Sequence, residues 1–231
     1  MNDFFTSMPP AYGRTVEASE ITEHARIVER RGSRVAHAES CQIGGAPAVL
    51  LVVDDRPGLL SLVTDALLVQ GLSVRKAQAY SRKRADGRIE AIDFMQLQRP
   101  KSAGPAEVDD AELAAFVQAL TELISEDVPM TMGRIATRIA GEQRTRVYFD
   151  LEALARREYL LSVEAPDSQG LLHAITSALY AHGVRIFGCY IDTEAGFARA
   201  RFELGLTGIA PTSANLCDIQ LAVLSGLPRR S

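Results

Sequence analysis

Cysteine is scarce in this chain of 231 residues: Cys41, Cys189 and Cys217 are odd in number and lie far apart. No cysteine pair or Cys/His cluster has metal-ligand spacing, so a structural metal and a disulfide framework are both excluded as organising features. Long apolar runs are also missing. None approaches the roughly 18–20 residues that a membrane helix needs. The start, Met1-Asn2-Asp3-Phe4-Phe5, lacks the basic residues and apolar core of a signal peptide. A reduced, cytoplasmic protein without membrane contact is expected. There is no excess of positive charge either; the formal net charge is −4. That excludes a general nucleic-acid binder, which carries a basic stripe. The short basic clusters, such as Arg82-Lys83-Arg84, read as solvated loops and helix ends. Finally, no nucleophile–base pair, metal set or Gly-rich phosphate loop stands out, so no catalytic residue and no cofactor is expected.

What is present is ordinary in bulk and distinctive in order. The chain is 47% hydrophobic and 23% charged, and is long enough for one large domain or two small ones. Its organising stretch is Leu50-Leu51-Val52-Val53-Asp54-Asp55-Arg56-Pro57-Gly58-Leu59-Leu60. It reads as a strand, a polar turn and the start of a helix. Ala48–Val53 is nearly all apolar, as in a strand covered on both faces. Leu59, Leu60, Val63, Leu67 and Leu68 recur at helical spacing, and Gly71 suits the helix end.

The stretch recurs at Leu161–Leu172, 112 residues on. Between 55–81 and 167–193 the offset holds without a gap. Eight of the 27 positions are identical: Asp55/Asp167, Gly58/Gly170, Leu59/Leu171, Leu60/Leu172, Thr64/Thr176, Ala66/Ala178, Leu67/Leu179 and Gly71/Gly183. Around each copy the pattern predicts strand, strand–helix–strand, strand–helix. Flanking it are a loosely held arm over residues 1–14, a helix from Thr15 to Arg31 capped by Thr15 or Ser19, and a polar connection over 126–144. The domains expected are 1–33 as arm and helix, 34–125, a linker over 126–144, and 145–231. Arg34-Val35 matches Arg146-Val147 at the same offset. This suggests that the strand near Val35 completes the second sheet and the strand near Val147 the first, a strand exchange.

This order, with Asp55-Arg56-Pro57-Gly58-Leu59-Leu60 at the first turn, resembles the ACT domain. The resemblance covers about residues 46–125 and 145–225. It implies an α+β fold of two ferredoxin-like βαββαβ modules in tandem, whose strand–helix turns bind small ligands, most often amino acids. The tandem spacing and Arg146-Val147-Tyr148-Phe149-Asp150 are similar to the C-terminal sensory half of the bifunctional uridylyltransferase/uridylyl-removing enzymes. So are Met8-Pro9-Pro10-Ala11-Tyr12 and Glu23-His24-Ala25-Arg26. That family reads glutamine and modifies PII signal proteins. Its nucleotidyltransferase signature and His-Asp pair are absent here; none of the four histidines is followed by Asp. The resemblance thus implies a sensor half without the catalytic half.

The turn residues suit such a ligand. The first N–H groups of a helix lack intrahelical partners and sit at its partial positive end, where a carboxylate can bind. The candidate ligand-binding residues are Asp54, Asp55, Arg56, Pro57, Gly58 and Leu59 at the first turn, and Asp167, Ser168, Gln169, Gly170 and Leu171 at the second. An aspartate could take an α-ammonium, Arg56 could clamp a carboxylate and Gln169 could bond an amide. Equally, Asp and Gly at a helix start serve as cap and turn. Three alternatives stay open: a purely structural turn, an interaction or dimerisation module without a small ligand, and a response-regulator receiver with Asp54-Asp55 as its acidic pair and Asp93 as phosphoacceptor. The partners expected are an amino acid and a protein partner or second copy, with no nucleic acid.

Overall fold

A computed structural model describes residues 3–99, 108–126 and 145–228. The connection expected over 126–144 falls almost entirely outside these residues. After a short helix α1 (Asp3–Ser7) and a 3₁₀ turn at Tyr12–Arg14, the first half comprises α2 (Ala18–Arg31), β1 (Ala36–Ile43), β2 (Ala46–Asp54), α3 (Leu59–Val69), β3 (Ser73–Lys83), β4 (Ile89–Gln98) and α4 (Asp110–Ser125). The second comprises β5 (Arg146–Phe149), α5 (Leu151–Ala155), β6 (Tyr159–Pro166), α6 (Leu171–Ala181), β7 (Arg185–Glu194), β8 (Phe197–Gly205) and α7 (Ser213–Gly226).

The eight strands of the described residues form one sheet in the order β1-β2-β4-β3-β7-β8-β6-β5. Every pairing is antiparallel. The fold is therefore α+β, and the receiver reading, which needs alternating βα units, is ruled out. Asp93, its would-be phosphoacceptor, is buried in the interior strand β4.

The strand exchange does not occur. β1 pairs with β2 of its own half, and β5 with β6 of its own. The reason is local. Gly44 and Gly45 both take positive φ, 57° and 73°, and a two-residue turn of that kind folds β1 back on β2 as a hairpin. Each half is thus self-contained with its edge strand first in sequence, ββαββα in the first half and the same order with the short α5 after the edge strand in the second; the repeat pattern predicted this strand order, whereas the resemblance implied βαββαβ.

The halves join through β3 and β7, and an approximate two-fold axis relates them. Gln78 and Tyr190, equivalent in the repeat, face each other across that ladder. Equivalent Thr64 and Thr176 meet between α3 and α6, Oγ1 to Oγ1 at 3.5 Å. One continuous apolar core, including Leu51, Phe116, Phe202 and Val223, lies between the sheet and the helices α3, α4, α6 and α7.

A second core lies on the opposite face of the first half, under the N-terminal arm. Phe4, Met8 and Tyr12 are buried there against Leu50, Val52, Ile92 and Phe94. The expectation of a loose arm is therefore corrected; its spaced apolar side chains outweigh Pro9, Pro10 and Gly13. Tyr12 Oη bonds His24 Nδ1 at 2.7 Å, and His24 Nε2 reaches Gln42 O at 2.6 Å. Burial pushes the His24 pKa down, so its imidazole is held neutral. The cap of α2 is neither Thr15 nor Ser19 but Glu17, in a reciprocal box with Glu20. Glu20 also accepts from the N–H groups of Gly44 and Gly45 at 2.9 and 2.8 Å, tying α2 to the hairpin turn. At the other end of α2, buried Arg31 bonds Glu90 at 2.7 Å and Asp54 at 2.8 Å.

Candidate functional site

Each repeated corner opens onto a cleft that the other half closes. Both helices start from a glycine in the left-handed region, Gly58 at φ 77° and Gly170 at φ 81°, a conformation other residues adopt at a cost. The first cleft runs from Asp55, Gly58 and Leu59 to Tyr180 of α6 and Arg185 of β7. The second runs from Asp167, Gly170 and Leu171 to Leu68 of α3 and Ser73 of β3. Tyr180 and Leu68 are equivalent in the repeat, as are Arg185 and Ser73. The two-fold relation thus makes one cleft twice.

Their chemistry differs. In the first cleft Asp55 Oδ2 accepts from Arg185 at 3.0 Å, and Ser81 Oγ lies 3.4 Å from the same oxygen. The Tyr180 ring roofs Gly58 so closely that a Cβ there would come within 2.8 Å of it. Asp93 lies at the floor of this cleft. Burial, with Asp55 nearby, pushes its carboxyl up to about 7. The second cleft has Ala200 at the place of Asp93, since Leu51 pairs with Asp93 and its counterpart Val163 with Ala200. Asp167 Oδ2 accepts from Gln98 Nε2 at 3.0 Å. The buried Ser168 Oγ and Thr193 Oγ1 have no hydrogen-bond partner.

Of the candidate residues, Asp55, Arg56, Gly58 and Leu59 line the first cleft, and Asp167, Ser168, Gly170 and Leu171 the second. Asp54 and Pro57 line neither; they border a separate depression with Arg31, Arg84 and Arg88. Gln169 is exposed and also lines neither cleft. Arg56 donates to Ile124 O at the end of α4, at 3.0 Å. Most of the residues not foreseen come from the opposite half: Leu68 and Leu72 for the second cleft, Tyr180 and Arg185 for the first; Thr193 comes from β7 of the second cleft's own half. The gapless offset carried the signal, because a repeat folded about a two-fold axis sets the helix of one copy over the turn of the other.

Other candidates read as structural. Cys189 is buried, and burial with Asp93 close by pushes its thiol pKa up, the opposite of an activated thiolate. His173 faces the neighbouring half, its Nδ1 3.3 Å from Thr64 Oγ1. Among the described residues no His, Cys, Asp and Glu cluster could hold a metal ion, and no helix is long and apolar enough to cross a membrane.

No protein-family model matches the chain. Among solved structures, one titled as an unknown protein from Galdieria sulphuraria aligns at 18% identity and TM-score 0.24, over 77% of this chain and 88% of that one. Among curated sequences, the chain is 24% identical over 196 residues to the bifunctional uridylyltransferase/uridylyl-removing enzyme of Rhodospirillum rubrum, covering 80% of this chain and 20% of that protein. It is 28% and 29% identical over 213 residues to the proteins of the same name from Burkholderia lata and Burkholderia vietnamiensis, covering 89% of this chain and 23% of each. The chain is therefore similar, over most of its own length, to about a fifth of the length of bifunctional uridylyltransferase/uridylyl-removing enzymes.

Proposed function

We propose that this chain is a non-catalytic regulatory module of two ACT-type domains, residues 34–125 and 145–231, joined by a linker over 126–144 and preceded by an arm over 1–33. In this reading it senses an amino acid in nitrogen or amino-acid metabolism. The observation that carries the proposal is the pair of equivalent strand–turn–helix corners, each opening onto a cleft closed by the opposite half. A ligand there touches α3, α6, β3 and β7 together, so its binding energy acts on the junction between the halves. Such a ligand shifts a packing equilibrium only by its differential affinity for the two arrangements. The similarity to part of a uridylyltransferase/uridylyl-removing enzyme supports the regulatory setting and brings glutamine forward as the first ligand to test.

The chemistry is that of a zwitterion at a helix start. Amides of the first turn of α3 or α6 other than Leu59 and Leu171, which already donate to Arg56 O and Ser168 O, take the carboxylate, and an aspartate of the turn takes the ammonium. Isothermal titration of the full chain with each common amino acid tests this. The expected result is saturable binding below millimolar concentration. If none binds at millimolar levels, the sensor reading is abandoned for the second one, an ACT-type interaction or dimerisation module without a small ligand. One observation favours that alternative for the first cleft: Arg185 and Tyr180 already occupy the surroundings of Asp55 and Gly58.

A further inference from the structure

The two clefts share geometry but not chemistry, and the contrast assigns a ligand class. We propose that only the second cleft takes a ligand, and that this ligand is an amino acid with a branched aliphatic side chain. The inference rests on the amino-acid-sensing reading and narrows it.

The polar end of the second cleft is incomplete as it stands. Thr193 is only 6% exposed and lines the cleft, yet its Oγ1 has no partner. Ser168 Oγ, beside the start of α6, is buried without a partner too. A buried hydroxyl left unpaired costs free energy that a ligand oxygen recovers. Asp167 keeps acceptor capacity beyond its single bond from Gln98. One α-amino-acid head group satisfies all three: its ammonium donates to Asp167, and its carboxylate accepts from Ser168, Thr193 and the first free amides of α6.

In the first cleft the same three positions are already used, although Arg185 Nε there is buried without a partner. Ser81, the counterpart of Thr193, has Asp55 and the Phe187 carbonyl as partners. Arg56, the counterpart of Ser168, bonds the end of α4. Asp55, the counterpart of Asp167, is bonded by Arg185.

Beyond the polar end, the second cleft is mainly apolar, and the hydroxyls of Thr64 and Ser73 in its lining already donate to the Ser61 and Gln98 carbonyls. Leu68, Leu72, Val74, Ile175 and Ile191 line it, with Ala200 where the first cleft has Asp93. A branched aliphatic side chain buries its surface there at no polar cost. A glutamine side chain would place its amide among these groups, and an amide buried without partners is penalised. His173, also in the lining, is turned to Thr64 and Ser177.

Titration calorimetry of the full chain with valine, leucine, isoleucine and glutamine tests the assignment, alongside Thr193→Val, Ser168→Ala and Ser81→Ala. One ligand per chain is expected, with the best aliphatic amino acid at least about tenfold tighter than glutamine. Thr193→Val and Ser168→Ala are each expected to weaken it about tenfold, the loss of a hydrogen bond to a charged group. Ser81→Ala is expected to leave it within about twofold. Should Thr193→Val fail to fold, Ser168→Ala carries the same test. Tighter glutamine binding would overturn the ligand class and leave the sensor reading standing. Loss of affinity in Ser81→Ala, with none in the second-cleft variants, would overturn the choice of cleft. Absence of all binding would overturn both.

Discussion

Two regions of the sheet occupy equivalent places in the repeat and meet opposite surroundings. On the face away from α3, α4, α6 and α7, the first half presents Leu50, Val52, Ile92 and Phe94, all fully or almost fully buried under the arm. At the equivalent places the second half presents Ser162, Glu164, Arg199 and Arg201. No element of the described chain covers them, and both arginines are exposed. The repeat therefore preserves the helix-side face and the corners and frees the other face to diverge. Covered by an arm, that face becomes core; left open, it becomes a charged surface.

The contrast can be broken first where it is strongest. Phe94 stacks on Tyr12 with ring centroids 5.9 Å apart and touches His24 and Tyr80 as well. Phe94→Ala should cost about 3–5 kcal/mol, the range for a buried aromatic. Its counterpart Arg201 makes one exposed ion pair, to Asp150 at 3.1 Å. Arg201→Ala should cost less than about 1 kcal/mol. Denaturant unfolding of both variants checks this. Equal losses would mean that the arm does not hold the first half as its packing indicates.

This difference was legible in the sequence, and its cause was not. Ala48–Val53 is a continuous apolar run, and β2 is indeed covered on both faces; Leu161-Ser162-Val163-Glu164-Ala165 alternates, and β6 has one face open. The element doing the covering was missed because Met8-Pro9-Pro10 and Gly13 read as a flexible segment. Which strand pairs with which edge was also misread. Period and propensity place β1 and β5, but the turn at Gly44-Gly45 is what decides the partner of β1. The corners were legible as corners. Their closure by Tyr180 and Arg185 in one cleft and by Leu68 and Leu72 in the other depends on a two-fold packing that no local pattern states.

The clefts allow a second, smaller test of the same divergence. Asp93 stands where the second half has Ala200, and its folded pKa of about 7 lies above an ordinary value near 3.8. Between those values the folded chain holds a proton that the unfolded chain has lost. The stability this group contributes is therefore complete below about pH 3.8 and is lost as the pH rises through 7. Asp93→Asn keeps the shape and removes the titration. It should flatten that part of the pH profile and raise stability at pH 8 by on the order of 4 kcal/mol relative to the parent. Thermal melts from pH 4 to 8 check the sign; a parent that gained stability across this window through Asp93 would refute the placement of a buried carboxyl there.

The smallest test addresses what holds the halves together rather than what sets them apart. Near the two-fold axis, Ser61 Oγ of α3 and Ser177 Oγ of α6 lie 2.7 Å apart. Ser61 is almost completely buried. The contact joins non-equivalent positions, since the counterpart of Ser61 is His173, which sits 3.3 Å from Ser177. The pair therefore exists only because α3 and α6 pack face to face in this register. Ser61→Ala and Ser177→Ala, alone and together, form a double-mutant cycle with an expected coupling of about 1 kcal/mol. If the halves instead unfolded independently, the two losses would add, with no coupling in the melt of either half. A ligand in the second cleft touches α3 and α6 together and should protect both single variants, which makes the same serine pair a reporter of junction tightening on binding.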